Sequence, residues 1–126
     1  MGNAVVRQAH HWGGDCSAMN VRLYILQRAT AAVMAPLVLV HIAIIFYATS
    51  RGLSAAEILG RTKGSIGWGL FYGLFVLAAA THGAIGLRVI ASEWSSLKGG
   101  QLDALMWTFG VVLAALGLRA VSAVVL

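Results

Sequence analysis

Three long apolar segments dominate the hydrophobic pattern of this chain. Short polar connections at residues 50–65 and 93–101 separate them. A helix needs about 20 mostly apolar residues to cross a bilayer, and each segment is long enough to do so. The pattern therefore predicts an all-α protein with three transmembrane helices, at about residues 21–49, 66–92 and 102–126.

The first connection carries a local helix signal. Ser54 is followed three residues later by Glu57, which is the spacing of a helix N-cap and its acidic partner. We expect either a short surface helix here or an irregular loop.

Composition supports the membrane assignment. The chain is 60% hydrophobic and 10% charged, with a mean hydropathy of +0.84, whereas soluble domains carry about 25% charged residues. The net charge of +5 comes from Lys and Arg residues at the segment ends, so we expect a lipid bilayer and no nucleic acid as partner. Residues 1–20 are polar and lack the apolar core of a cleavable signal. The expected location is a bacterial inner (cytoplasmic) membrane.

His82 is the most informative polar residue. It lies inside the second apolar segment, where polar side chains are costly and tend to be functional. Gly86 follows one helical turn later on the same face and leaves room for the edge of a porphyrin. Because histidine is a common axial ligand of haem iron, this spacing favours a haem ligand. The alternatives are a hydrogen bond to a neighbouring helix and a proton path.

His41 is the second histidine within an apolar segment. It lies near the far end of the first helix, so its depth differs from that of His82 by roughly 10–15 Å, at about 1.5 Å per residue. The two imidazoles are therefore poorly placed to share one iron within a single chain. A helix contact is the favoured interpretation for His41, and a second haem and a proton route stay open.

Arg28 and Arg88 belong to the same membrane face in the predicted topology. A guanidinium there either binds haem propionates or a quinone carbonyl, or extends toward lipid headgroups. Trp94 closes the second helix at this face, where tryptophan is also common as an interfacial residue. Three helices do not easily enclose a cofactor alone, so we expect this unit to be half of a larger helix bundle.

Two short motifs stand at the start of the first helix and inside the second. One is Gln27-Arg28-Ala29-Thr30-Ala31, and the other is His82-Gly83-Ala84-Ile85-Gly86-Leu87-Arg88, with Glu93 five residues on. Together with the three-span layout, they resemble the membrane-anchor cytochrome b subunits of succinate dehydrogenase, a succinate:quinone oxidoreductase. The first motif is especially similar to the smaller of the two anchor subunits. The second follows the family pattern of His, three residues, Gly, Arg and a later acidic residue.

The resemblance implies a role for each candidate residue. His82 corresponds to the axial ligand of haem b, with the second ligand supplied by the other anchor subunit. Arg28 corresponds to a residue on the quinone and propionate side, and Arg88 with Glu93 matches the larger anchor's pattern at that face. Two-haem relatives place a ligand roughly where His41 falls. The implied partners are a flavoprotein subunit, an iron–sulfur subunit and a second membrane anchor.

Three positions depart from the family pattern. Gln27 stands where the larger anchor often has histidine, and Tyr24 stands where it has a quinone-side serine. Trp94 stands where the smaller anchor has a quinone-binding tyrosine, and an indole donates but does not accept a hydrogen bond. The chain thus mixes features of both anchors.

The expected function is that of an anchor subunit that holds haem b and helps to pass electrons from succinate to quinone, without being catalytic alone. The sequence offers no cysteine pair, carboxylate pair or nucleophile–base set for chemistry of its own. A haem-free fumarate reductase anchor has the same architecture, and His82 argues against it. A non-enzymatic transporter or scaffold subunit would use His41 and His82 for helix contacts or proton transfer.

Overall fold

The described part of the chain forms four helices and no strands in a computed structural model. The structure describes the backbone of residues 2–97 and 99–126 and the side chains of residues 21–97 and 99–126. The helices are α1 (Gly2–Ser50), α2 (Ala55–Thr62), α3 (Ile66–Trp94) and α4 (Gly100–Val125).

Three of these helices are long and apolar enough to cross a membrane. The candidate spans are Val21–Ser50 within α1, Ile66–Trp94 and Gly100–Val125. The predicted all-α class with three transmembrane helices is confirmed. α1 itself begins at Gly2 rather than near residue 21, because hydropathy marks where a helix enters the apolar layer and not where its backbone starts.

α2 is the short surface helix indicated by the capping pattern. The backbone N–H of Ser54 donates to Glu57 Oε2 over 2.7 Å, and the Glu57 N–H donates back to Ser54 Oγ over 3.3 Å. This reciprocal pair fixes the first turn of α2. The hydrogen bonds to Ser54 lower the pKa of the Glu57 carboxyl.

The end of α2 is attached to the end of α4. Thr62 donates from its hydroxyl to the Val124 carbonyl over 3.0 Å, and the Gly64 N–H donates to the Val125 carbonyl over 2.7 Å. Gly64 has φ +72°, a left-handed conformation that glycine adopts without strain. These bonds satisfy carbonyls that the last turn of α4 would otherwise leave unpaired.

α3 is the central helix, and it packs against both α1 and α4. Its buried residues are mostly small, with Ala80 and Ala84 next to α4. A Cβ on Gly110 would lie 3.1 Å from that of Ala84, and one on Gly117 would overlap the side chain of Val76. Small residues therefore let α3 and α4 approach closely, as is common in membrane bundles.

Candidate functional site

His82 projects from α3 toward two polar side chains of α1. Its Nδ1 lies 3.3 Å from the Thr30 hydroxyl oxygen, and its Nε2 lies 3.4 Å from the amide nitrogen of Gln27. Gln27 and Thr30 are three residues apart, so they lie on one face of α1. The imidazole is thus the polar link between α1 and α3 at this depth.

The contacts of Thr30 favour the His82 tautomer that carries its proton on Nδ1. The Thr30 hydroxyl lies 2.8 Å from the Leu26 carbonyl and 3.0 Å from the Gln27 carbonyl. A hydroxyl has one proton to donate, and these carbonyls can only accept it. Thr30 therefore accepts from Nδ1–H of His82. This tautomer leaves the lone pair on Nε2, where the Gln27 amide nitrogen can donate to it.

An open apolar groove lies beside the imidazole. It has a volume of about 420 Å³, and apart from His82 all of its lining residues belong to α1. The lining residues are Ala31, Met34, Ala35, Val38, Leu39 and His82.

Gly83 and Gly86, the two glycines after His82, do not border the groove but lie against side chains of α4 and α1. A Cβ on Gly86 would meet the Gln27 amide nitrogen at 3.6 Å, and one on Gly83 would meet Leu113 and Phe109 of α4 at 3.7 and 3.8 Å. The space beside Gly86 is therefore used by Gln27 in this structure. The open space beside His82 lies along α1 in the groove instead.

Tyr24 and Arg28 form a pair on the exposed side of α1. Arg28 Nε donates to the Tyr24 hydroxyl oxygen over 3.1 Å, and the guanidinium carbon lies 5.5 Å from the centre of the Tyr24 ring. At about 100° per residue, Tyr24, Arg28, Ala31 and Ala35 fall within roughly 60° of one another around the helix. The donor pair and the groove therefore lie along one stripe of α1.

Arg88 lies on the α4 side of α3. Its Nε donates to Asp103 Oδ1 over 2.9 Å, and the two side chains are 19% and 40% exposed. The ion pair ties α3 to the first turn of α4, where a carboxylate is also favoured by the helix dipole. The guanidinium keeps its other N–H groups for further acceptors. Trp94, the last residue of α3, is 88% exposed.

His41 occupies a different environment, packed against aromatic rings of α3. Its ring stacks on Phe75 at 5.6 Å between centroids and meets Tyr72 edge-on at 5.8 Å. Its buried Nδ1 has no hydrogen-bond partner among the described residues. His41 and Thr30 are separated by about 16 Å along α1, at about 1.5 Å per residue. The structure therefore brings His82 and His41 to separate places.

The sequence matches the family model for the succinate dehydrogenase/fumarate reductase transmembrane subunit over residues 15–118. The chain belongs to this family. It is accordingly a multi-pass membrane subunit of a succinate/fumarate oxidoreductase complex that contains other subunits. The search of curated proteins and the search of solved structures found no match.

The contacts that Thr30 and Asp103 make in this transmembrane subunit were not predicted from the sequence. Thr30 lies within the first motif, three residues after Gln27, and this shared helix face was the available signal. Asp103 follows Arg88 across the short connection at the same membrane face. Opposite charges at two adjoining helix ends were the signal for that ion pair.

Proposed function

We propose that this subunit is the cytochrome b-type anchor of a succinate dehydrogenase in a bacterial inner membrane. In this proposal, His82 would hold the iron of haem b through Nε2. The observation that carries the proposal is an imidazole at membrane depth, beside an open apolar groove, with its Nδ1 next to the Thr30 hydroxyl.

The residues present fit an iron porphyrin. A neutral imidazole nitrogen is a preferred iron ligand, and its other nitrogen is held by a hydrogen bond, as is usual for metal-bound histidine. The α1 residues that line the groove offer apolar surface to a porphyrin ring. One neighbour must move: the Gln27 amide nitrogen lies 3.4 Å from Nε2, a long and therefore weak hydrogen bond that ligation would replace. Haem b bound there would supply a one-electron carrier next to the quinone site.

Tyr24 and Arg28 are the proposed quinone-side residues. Because Arg28 donates to the Tyr24 oxygen, the Tyr24 hydroxyl proton remains available for a quinone carbonyl. The Arg28 charge favours the build-up of negative charge on that oxygen as electrons arrive. Reduction of quinone to quinol takes up two electrons and two protons. Arg28 lies about two helical turns from the start of the Val21–Ser50 span, so we propose that the protons come from that membrane surface. Arg88 can still present its remaining N–H groups to a propionate.

The proposed partners follow from what the chain leaves open. The groove beside His82 is walled mainly by one helix, so a second membrane anchor closes it and supplies the other iron ligand. Trp94 is exposed at the end of α3, on the membrane face where Arg28 also lies by topology. We propose that the iron–sulfur and flavoprotein subunits bind at this face. A second haem at His41 remains a prediction; its stacking on Phe75 fits a packing role equally well.

The ligand assignment is tested with His82→Ala in the purified complex. We expect the reduced-minus-oxidised spectrum to lose the haem b bands and the pyridine haemochrome content to fall, while the flavoprotein still oxidises succinate with an artificial dye. Haem b at the wild-type level in this variant would refute His82 as a ligand. Assembly is checked by co-purification of the soluble subunits.

The quinone-side assignment is tested with Arg28→Leu. We expect succinate:quinone reductase activity to fall by at least about tenfold, because losing a hydrogen bond to a charged group costs about 1.5–3 kcal/mol, while dye reduction continues. Arg51→Leu is the matched control, since Arg51 lies 5.7 Å over the ring of Tyr47 near the other end of α1. Normal quinone reduction in Arg28→Leu would remove Arg28 from the site.

A further inference from the structure

We propose that Thr30 is a positioning residue that controls how strongly His82 donates electrons to the haem iron. This inference rests on the proposed role of His82 as a haem ligand. Thr30 belongs to α1 and His82 to α3, so the contact lets one helix adjust a ligand carried by another. The predicted consequence is a change in the reduction potential of the haem when the Thr30 hydroxyl is removed.

The Thr30 oxygen is held in place before any cofactor binds. Its proton is directed at the Leu26 and Gln27 carbonyls, at 2.8 and 3.0 Å, and the residue is buried. Threonine has few side-chain rotamers in a helix, and this backbone bond selects among them. The remaining lone pairs therefore have a fixed direction, and one of them faces Nδ1 of His82 at 3.3 Å.

The fixed acceptor has two effects on His82. It keeps the proton on Nδ1, so that iron can be bound only through Nε2. It also makes the imidazole a more basic ligand, because the N–H bond is polarised toward the Thr30 oxygen. A more basic ligand stabilises ferric over ferrous iron, so Thr30 lowers the reduction potential. The low dielectric of the membrane interior strengthens this hydrogen bond.

Thr49 makes the same hydrogen bonds to its own helix as Thr30 but has no histidine beside it among the described residues. Its hydroxyl also donates to two carbonyls of α1, Ile45 at 2.9 Å and Phe46 at 3.0 Å. Thr49 is exposed, whereas Thr30 is buried and faces an imidazole. The same side chain on the same helix thus supplies a matched control.

The test compares Thr30→Val, Thr30→Ser and Thr49→Val in the purified complex. For Thr30→Val we expect the ferric-over-ferrous preference to weaken by up to about tenfold, which is a rise in midpoint potential of up to about 59 mV for one electron. Haem affinity should also fall, by about tenfold, as is typical when the partner of a metal-bound histidine is lost. Thr30→Ser keeps the hydroxyl and should restore both values, and Thr49→Val should change neither. Redox titration and haemochrome content are the readouts.

Three results would overturn the role of Thr30. The first is haem bound at the wild-type potential in Thr30→Val. The second is an equal shift in Thr30→Ser, which would assign the effect to the lost methyl group. The third concerns the case in which Thr30→Val does not assemble. Thr30→Ala, which fits the same space, is then measured instead, and a wild-type potential in that variant would overturn the role of Thr30. Haem at the wild-type level in His82→Ala, or none in the wild-type complex, would instead refute the proposed function itself.

Discussion

α3 meets its two neighbours in different ways. Toward α4 it presents small residues, and a methyl group added at Gly110 or Gly117 would press on Ala84 or Val76. Toward α1 it presents His82, whose two nitrogens face Gln27 and Thr30, with an open groove alongside. One interface is packed through small side chains, and the other is joined by polar groups beside an open groove.

We expect this difference to separate stability from cofactor binding within one helix. Close packing of small residues gains van der Waals contact between α3 and α4. The α1 side borders the open groove beside His82 and holds polar groups that are costly at this depth unless they have partners. We therefore expect changes on the α4 side to alter stability, and changes on the α1 side to alter cofactor content.

The largest expected effect distinguishes the two histidines of the membrane interior. His82→Phe should abolish haem b binding, because it removes the ligand. His41→Phe should retain haem, and the melting temperature of the complex should not fall, since a buried Nδ1 without a described partner carries a penalty of about 1–3 kcal/mol. Optical spectra and thermal unfolding in detergent are the measurements. Loss of half of the haem in His41→Phe would instead favour a second haem at His41.

Gly117→Ala tests the close-packed side. The added methyl group would overlap Val76, and overpacking of this kind costs about 1–3 kcal/mol, so the melting temperature should fall. Haem per assembled complex should not change. Gly73→Ala on α3 is the control, because a Cβ there meets no atom within 4 Å among the described residues, and the substitution should be neutral or stabilising. A Gly117→Ala complex as stable as the wild type would contradict the close approach of α3 and α4.

Asp103→Asn should have a smaller effect at the end of the same interface. Removing the carboxylate leaves the largely buried Arg88 without its ion-pair partner. The free energy of unfolding should fall by about 1–2 kcal/mol, a value between those typical of breaking exposed and buried ion pairs. Glu93→Gln, an exposed carboxylate at the end of α3, is the control. Thermal unfolding of Asp103→Asn, Arg88→Gln and the double variant measures the coupling between the two residues. Additive effects of the single changes would show that the pair contributes nothing.

The smallest expected effect concerns the cap of α2. Because hydrogen bonds to Ser54 lower the pKa of Glu57 below its ordinary 4.5, the contribution of this carboxylate is fully present above pH 4.5. It is lost as the pH falls through the lowered pKa, when the carboxylate is protonated. Amide hydrogen exchange in α2 should accelerate over that range. Glu57→Gln should remove the pH dependence, and Ser54→Ala, which keeps the backbone N–H that donates to Glu57 Oε2, should remove only part of it. An unchanged pH dependence in Glu57→Gln would contradict the capping pair.

Much of this arrangement could be predicted from the sequence. The three spans follow from hydropathy, and α2 follows from the spacing of Ser54 and Glu57. The deep imidazole of His82 was recognisable because polar residues in membranes are rare.

The contacts of that imidazole could not be predicted. They depend on the rotation of α1 against α3, which brings Gln27 and Thr30 to His82 and fills the space beside Gly86 with an amide. Single-helix periodicity contains no information about this rotation. The pairing of Arg88 with Asp103 depends similarly on how α4 lies against α3.

The hydrogen bonds at the end of α4 have a consequence for the order of folding. Thr62 and Gly64 hold the last carbonyls of α4 at one end of the α3–α4 hairpin, and Arg88 with Asp103 holds the other. A helical hairpin that is held by hydrogen bonds at one end and by an ion pair at the other can form as a unit before other helices pack against it. We expect α1 to join this unit last. The groove beside His82 would then be completed only at the final step of membrane assembly, so that haem is captured by a late intermediate rather than by the nascent chain.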